Sequence, residues 1–277
     1  MHIRRLTLSA AIAGLSFATS APALAQAADK WQFTGSLYGY FPSMGGKTTF
    51  PQSTDGTDVT IDADKILDDL KFVFMGSFEA RKGRWGGFTD VIYMDLGNSK
   101  SGTRDFVLGG HQIPADVQAN ASYDLKGWAW TLAATYVAID RPEYSMQVLG
   151  GARMLKLEPK VTWELTGNID SIPLPGRAGS LEADDTYWDA IVGVKGRAKL
   201  GAERKWFIPY YLDVGTGESK LTWQAMGGLG YAFGSWDLFA AWRYLDYEFK
   251  SGSKVEDLNF NGPGVAVQFH WYPAAPR

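Results

Sequence analysis

Cysteine is absent from the 277 residues, and histidine occurs only three times. An exported chain of this size therefore has no disulfides and has to hold itself together by backbone pairing and packing. Past the N-terminal leader no apolar run reaches the about 18 residues that a spanning helix needs, which excludes helical membrane spans. Mean hydropathy, at −0.17, agrees. A basic excess is missing as well: 27 basic and 30 acidic residues leave a net charge of −3, a balance not made for nucleic acid.

What is present begins with the leader. Arg4 and Arg5 form a basic n-region, Leu6 to Ala18 an apolar stretch, and Ala23-Leu24-Ala25 a small-residue cleavage site, with Ala25-Gln26-Ala27 as a second one. This is the pattern of a secretory signal peptide over residues 1–25, or as late as 27, followed by one barrel domain over 26–277. Removing it takes both arginines and leaves 25 basic against 30 acidic residues, or −5. Thirty-two glycines and 14% aromatics suit a barrel with many turns and two interfacial belts of rings.

The stretch from Lys220 to Phe249 carries the clearest pattern. Leu221, Trp223, Ala225, Gly227, Leu229, Tyr231 and Phe233 share one face, against Thr222, Gln224, Met226, Gly228 and Gly230 on the other. After a turn at Gly234-Ser235, Trp236, Leu238, Ala240, Trp242 and Tyr244 alternate with Asp237, Ala241 and Arg243. The period is two, not 3.6. Rings toward the ends of an apolar face, with charge on the opposite face, invert the pattern of a soluble sandwich and predict two strands with lipid outside.

The same alternation predicts eight further strands, at 31–41, 72–81, 85–94, a run ending at Tyr136, 146–154, 188–197, 206–214 and 265–271. Pro209 predicts a bulge in the seventh of the ten. Short turns at Lys82-Gly83, Asp140 to Pro142, Gly201 to Arg204 and Gly234-Ser235 alternate with mostly longer connections, among them 42–70, 97–114 and 166–185. Segments 116–126 and 156–166 are expected to prolong two strands beyond the membrane as a hairpin. Bacterial outer-membrane barrels keep their short turns in the periplasm. The expectation is an all-β, antiparallel, up-and-down transmembrane barrel of ten strands with both termini periplasmic. Trp31, Trp85, Trp206, Trp236 and Trp271 fall on the apolar face at the short-turn end and predict a periplasmic aromatic girdle.

Four segments carry a resemblance: Phe78 to Leu96 (FEARKGRWGGFTDVIYMDL), Val148 to Arg153 (VLGGAR), Lys220 to Gly230 (KLTWQAMGGLG) and Trp242 to Tyr247 (WRYLDY). They resemble a group of small proteobacterial outer-membrane β-barrel proteins, broadly similar to OmpW-like and OmpA-like barrels, over essentially the whole mature chain. The resemblance implies architecture and an outer-membrane location, not a substrate. Asn261-x-x-Gly264-x-x-Val267-x-Phe269 resembles the C-terminal signal read by the barrel-assembly machinery, although here Trp271 to Arg277 extends beyond it.

Parity places nine charges on the inner face: Glu79, Arg81, Asp90, Arg153, Asp189, Lys195, Arg197, Asp213 and Arg243. In a dry interior each costs several kcal/mol unpaired, so they are expected to pair with one another or stand in water. Two readings follow: an ion-pair network that fills a narrow lumen, or a lined pore that selects small polar or ionic solutes. The first long loop is acidic, with Asp55, Asp58, Asp62, Asp64, Asp68 and Asp69, but lacks the spacing of a calcium loop. Ile61, Ile66, Leu67 and Leu70 in it predict a short amphipathic turn folded over the mouth. Barrel enzymes exist, yet the mature chain has only His111 and His270 and no Ser-x-Asn or His-x-Ser signature, so no catalytic unit is expected. The functional expectation is a narrow channel for small solutes; the alternative is a non-conducting surface barrel acting through its outer loops, and third a membrane-embedded hydrolase. The expected surroundings are outer-membrane lipid and lipopolysaccharide, with the chain a monomer and no cofactor or metal.

Overall fold

The computed structural model describes residues 30–48, 57–102, 107–108, 111–112, 117–169, 172–173, 177–182, 184–251 and 255–271. The leader, Asp55 and the tail after Trp271 lie outside the described residues. Ten long strands form the wall: β1 (Trp31–Tyr40), β2 (Leu70–Lys82), β3 (Trp85–Gly102), β4 (Val117–Asp140), β5 (Tyr144–Ile169), β6 (Asp185–Leu200), β7 (Trp206–Gly217), β8 (Ser219–Ala232), β9 (Trp236–Phe249) and β10 (Val255–Trp271). Each pairs antiparallel with the next, and β10 returns to β1 from Phe33↔Trp271 to Tyr40↔Gly264. The chain is an all-β, closed ten-stranded barrel whose wall has no free edge to template aggregation. Among the described residues no helix is long and apolar enough to cross a membrane.

Alternation in the sequence becomes alternation in exposure. On β4, Leu132 is 53% exposed between Thr131 and Ala133 at 4% each, and on β6 Val192 is 62% exposed beside Ile191 at 2%. Leu37, Phe74, Leu212, Leu229 and Val265 repeat the pattern around the wall. A continuous outer band of this kind exceeds the apolar patches that soluble monomers expose. Three of the tight turns use glycine at positive φ, with Gly83 at 62°, Gly201 at 73° and Gly234 at 102°, where a side chain would be strained.

Pro209 departs from expectation. The register of β7 against β8 is the same on both sides of it, Phe207↔Gly230 and Tyr210↔Gly227, and against β6 it continues through Arg197↔Pro209. A proline lacks the N–H for a rung, so a ladder step is missing while the spacing is kept. In the wall, irregular registers occur instead between Leu70 and Phe72, between Val137 and Ile139 and between Ser219 and Leu221.

The loop end is more structured than expected. Residues 42–70 hold a hairpin, Ser43–Thr48 with Thr57–Ile61, whose first strand pairs with β10, followed by the helix α1 (Ala63–Asp68). Strand β3 runs to Gly102, into the predicted loop 97–114, and Arg177–Glu182 adds a strand against β5 inside the predicted loop 166–185. Strands β4 and β5 are 24 and 26 residues long and pair from Val117↔Gly167 to Asp140↔Ser145. At about 3.3 Å per residue they outrun any bilayer, since about ten tilted residues suffice to cross one.

Candidate functional site

The candidate site is the lumen, and its levels follow from strand parity. At the short-turn end β6, β9, β10 and β1 supply a clasp. Arg197 donates to Asp237 Oδ2 (2.7 Å) and to Gln268 Oε1 (2.6 Å), and stacks 4.5 Å from the Phe207 ring centre. His270 Nε2 lies 2.8 Å from the same Asp237 oxygen, and its Nδ1 lies 3.2 Å from Thr34 Oγ1. Thr34, His270 and Asp237 thus stand in the order of a nucleophile, base and orienting acid. Arg197 shares the Asp237 oxygen that His270 meets, so the acid also belongs to an ion pair.

One level up, Lys195 Nζ donates to Glu79 Oε2 (2.5 Å) and sits 3.8 Å from the Phe88 ring centre, while Gln147 donates to the other Glu79 oxygen (2.9 Å). Arg243 donates to Asp90 Oδ2 (2.9 Å), Gln224 Oε1 (2.7 Å) and Tyr38 Oη (3.1 Å), and Tyr38 donates to the second Asp90 oxygen (2.6 Å). Arg153 reaches from β5 to Asp213 on β7 and to the hydroxyls of Thr131 (3.3 Å) and Thr222 (3.4 Å). Arg153 and Asp213 are almost entirely enclosed.

Seven of the nine sequence-picked charges thus find partners of opposite sign. Asp237 is absent from that set although it shares the inward parity of Arg243; it is the fourth carboxylate in the network. Two of the nine do not fit the expected pairing. Arg81 donates to the amide oxygen of Gln32. Asp189, 1% exposed, accepts the Ser219 N–H (2.8 Å) on one oxygen, and its other oxygen has no partner among the described residues. The partners of both are neutral groups.

Two volumes flank this polar middle. A cavity of about 400 Å³ runs from the short-turn end, past Arg81, Lys195 and Arg197, to Asp90 and Arg243. Above the pairs the lumen is apolar. Tyr40, Ile92, Met94, Leu155, Leu245 and Phe260 close in from the wall, joined by Met44 from the loop-end hairpin and Ile66 from α1. The expected turn over the mouth is therefore a six-residue helix with Ile66 buried in the lumen and Leu67 exposed.

A latch holds that helix. The carboxylate of Asp69, at its C-terminus, accepts from Asn98 on β3 and from Tyr123 on β4, and its carbonyl accepts the Gly97 N–H (2.8 Å). Partial burial and the Asp69 carboxylate push the Tyr123 phenol up to about 12, so it stays a donor throughout the neutral range. Lys71 and Asp124 add an exposed ion pair beside it. No group of three acids or histidines close enough to hold a metal occurs among the described residues.

The five tryptophans stand at the short-turn end, each against another ring. Trp31 stacks on Phe33 (5.9 Å), which stacks on Trp271 (6.0 Å); Trp85 meets Tyr136 (4.8 Å), Trp206 meets Tyr231 (5.1 Å) and Trp236 stacks on Phe233 (4.2 Å).

Comparison with protein-family models finds no match, and comparison with curated proteins finds none. Solved structures do match. The attachment invasion locus protein Ail of Yersinia pestis is 10% identical, covering 88% of this chain and 99% of that one, with a TM-score of 0.32. The outer membrane protease OmpT from Escherichia coli is 9% identical, covering 88% and 97%, with a TM-score of 0.40. The P. putida toluene transporter TodX is 11% identical, covering 91% and 92%, with a TM-score of 0.35.

Proposed function

We propose that this chain is an integral barrel of the bacterial outer membrane and a narrow conduit for small polar or ionic solutes, at rest in a state closed on the loop side. One observation carries the reading: a polar chamber of about 400 Å³ ends beneath an apolar seal, part of which comes from a small latched helix and not from the wall. A purely structural plug has no use for either feature. The apolar outer band supports the membrane location, and the short turns with the tryptophan girdle support a periplasmic position for that end and both termini. The chain closes its own ladder, so a monomer suffices, with lipopolysaccharide around the loop end. Kinship with OmpW-like or OmpA-like barrels rests on the four sequence segments alone. The reading includes no catalytic step.

The test is conductance of refolded protein in planar bilayers. Hydrogen bonds to a carboxylate are worth about 1.5–3 kcal/mol, so removing the latch with Asp69→Ala should raise the open probability at least about tenfold over rare openings in the unchanged barrel. Silence from folded Asp69→Ala and Ile66→Asp proteins alike would overturn the conduit. It would favour a second reading, a non-conducting surface barrel, for which the long β4–β5 extension is the supporting observation.

A further inference from the structure

We infer that the chamber is an anion site, which holds small solutes by a carboxylate or phosphate group at Arg81. The inference rests on the chamber being reached by solute, as proposed above, but not on its conducting. Six cations line it: Arg81, Arg141, Lys195, Arg197, Lys199 and Arg243. Against them stand Glu79, Asp90 and Asp140 in the lining and Asp237 behind Arg197, so six positive charges face four negative ones.

The excess is not evenly available. Lys195 is engaged by Glu79, Arg243 by Asp90 and Arg197 by Asp237. Arg141 and Lys199 are exposed at the rim, where charge draws ions inward more than it holds them. Arg81 is half-buried in the wall, donates to Gln32, and has no carboxylate within ion-pair distance among the described residues. Its neighbour on the same strand, Glu79, gives its two oxygens to Lys195 and Gln147 and acts on Arg81 only through space, without a direct ion pair. A guanidinium carries five donors in a planar fork that matches two oxygens of a carboxylate or phosphate. A cation entering the same space meets no free carboxylate below the rim. The volume falls within the about 300–1,000 Å³ of ordinary small-molecule sites.

The experiment is calorimetric titration of the refolded full chain in detergent with sodium succinate, sodium phosphate and choline chloride at constant ionic strength. The expected result is saturable binding of at least one anion and none of choline. The two anion arms show which oxyanion is preferred. Arg81→Gln should weaken binding at least tenfold, Arg81→Lys should retain most of it, and Glu79→Gln, which frees Lys195, should strengthen it. Absence of anion binding to folded protein, equal binding by Arg81→Gln, or equal binding of choline overturns the inference. If Arg81→Gln does not fold, as judged by heat-modifiable gel mobility, unchanged affinity in Glu79→Gln overturns it instead. A barrel silent in bilayers that still binds the anion refutes the conduit and leaves the site standing. A conducting barrel that binds none refutes the site alone.

Discussion

Arg153 shows what a single residue contributes here. Its guanidinium ties β5 to Asp213 on β7 and to hydroxyls on β4 and β8, with almost no contact with water. Removing one member of such a pair strands a buried charge, at a cost of about 3–5 kcal/mol, whereas replacing both by apolar groups is close to neutral. Arg153→Met should therefore lose about that much stability against urea, and Arg153→Met with Asp213→Leu should recover most of it. Equal losses in the single and double variants would contradict the pairing. At this scale period-two parity assigns all nine charges to the inner strand faces, and seven of them meet opposite charges. Which charge meets which was not legible: Arg153 sits directly across from Asp189 in the ladder yet bonds Asp213, two strands away from β5. Side-chain reach across a lumen leaves no trace in sequence spacing.

Among elements, the staves and the amphipathic turn over the mouth were readable, and the wall's share of the seal was not. Ten strands, four short turns and the prolonged β4–β5 hairpin follow from alternation and from glycine at the turns. The inner wall of the loop-side half escaped because alternation fades there. Val91, Ile92, Tyr93 and Met94 are apolar on both faces, and β9 continues past Tyr244 through Leu245, Tyr247 and Phe249, which point inward and are buried. An apolar residue on each face of a strand says that both sides avoid water, without saying that one side faces lipid and the other a plug. The lipid side can be tested on β4: Leu132→Arg should cost about 2–4 kcal/mol near the bilayer midplane, read as a lower urea midpoint in vesicles, while Leu132→Phe should be tolerated. Equal tolerance of arginine would remove lipid from that face. The latch is an element-scale property as well. It joins α1 to the β3–β4 extension through Asp69, Asn98 and Tyr123, three residues whose sequence separation hides their contact.

For the whole molecule, the barrel is a wall with an apolar outer band and three inner layers: a chamber at the short-turn end, a ring of ion pairs, and an apolar seal. The absence of cysteine also makes the layers directly measurable. A single Ser77→Cys places one thiol in the chamber, and Leu67→Cys places one on the exposed side of α1. Labelling of each in native outer membranes with a membrane-impermeant maleimide, from the cell exterior and then from the periplasmic side of opened cells, tests the closed-chamber account most directly. The account predicts that the thiol at position 67 reacts from outside, that the thiol at position 77 reacts from the periplasmic side alone, and that adding Ile66→Asp lets position 77 react from both. Exterior labelling of position 77 in the otherwise unchanged barrel, as fast as that of position 67, would contradict it.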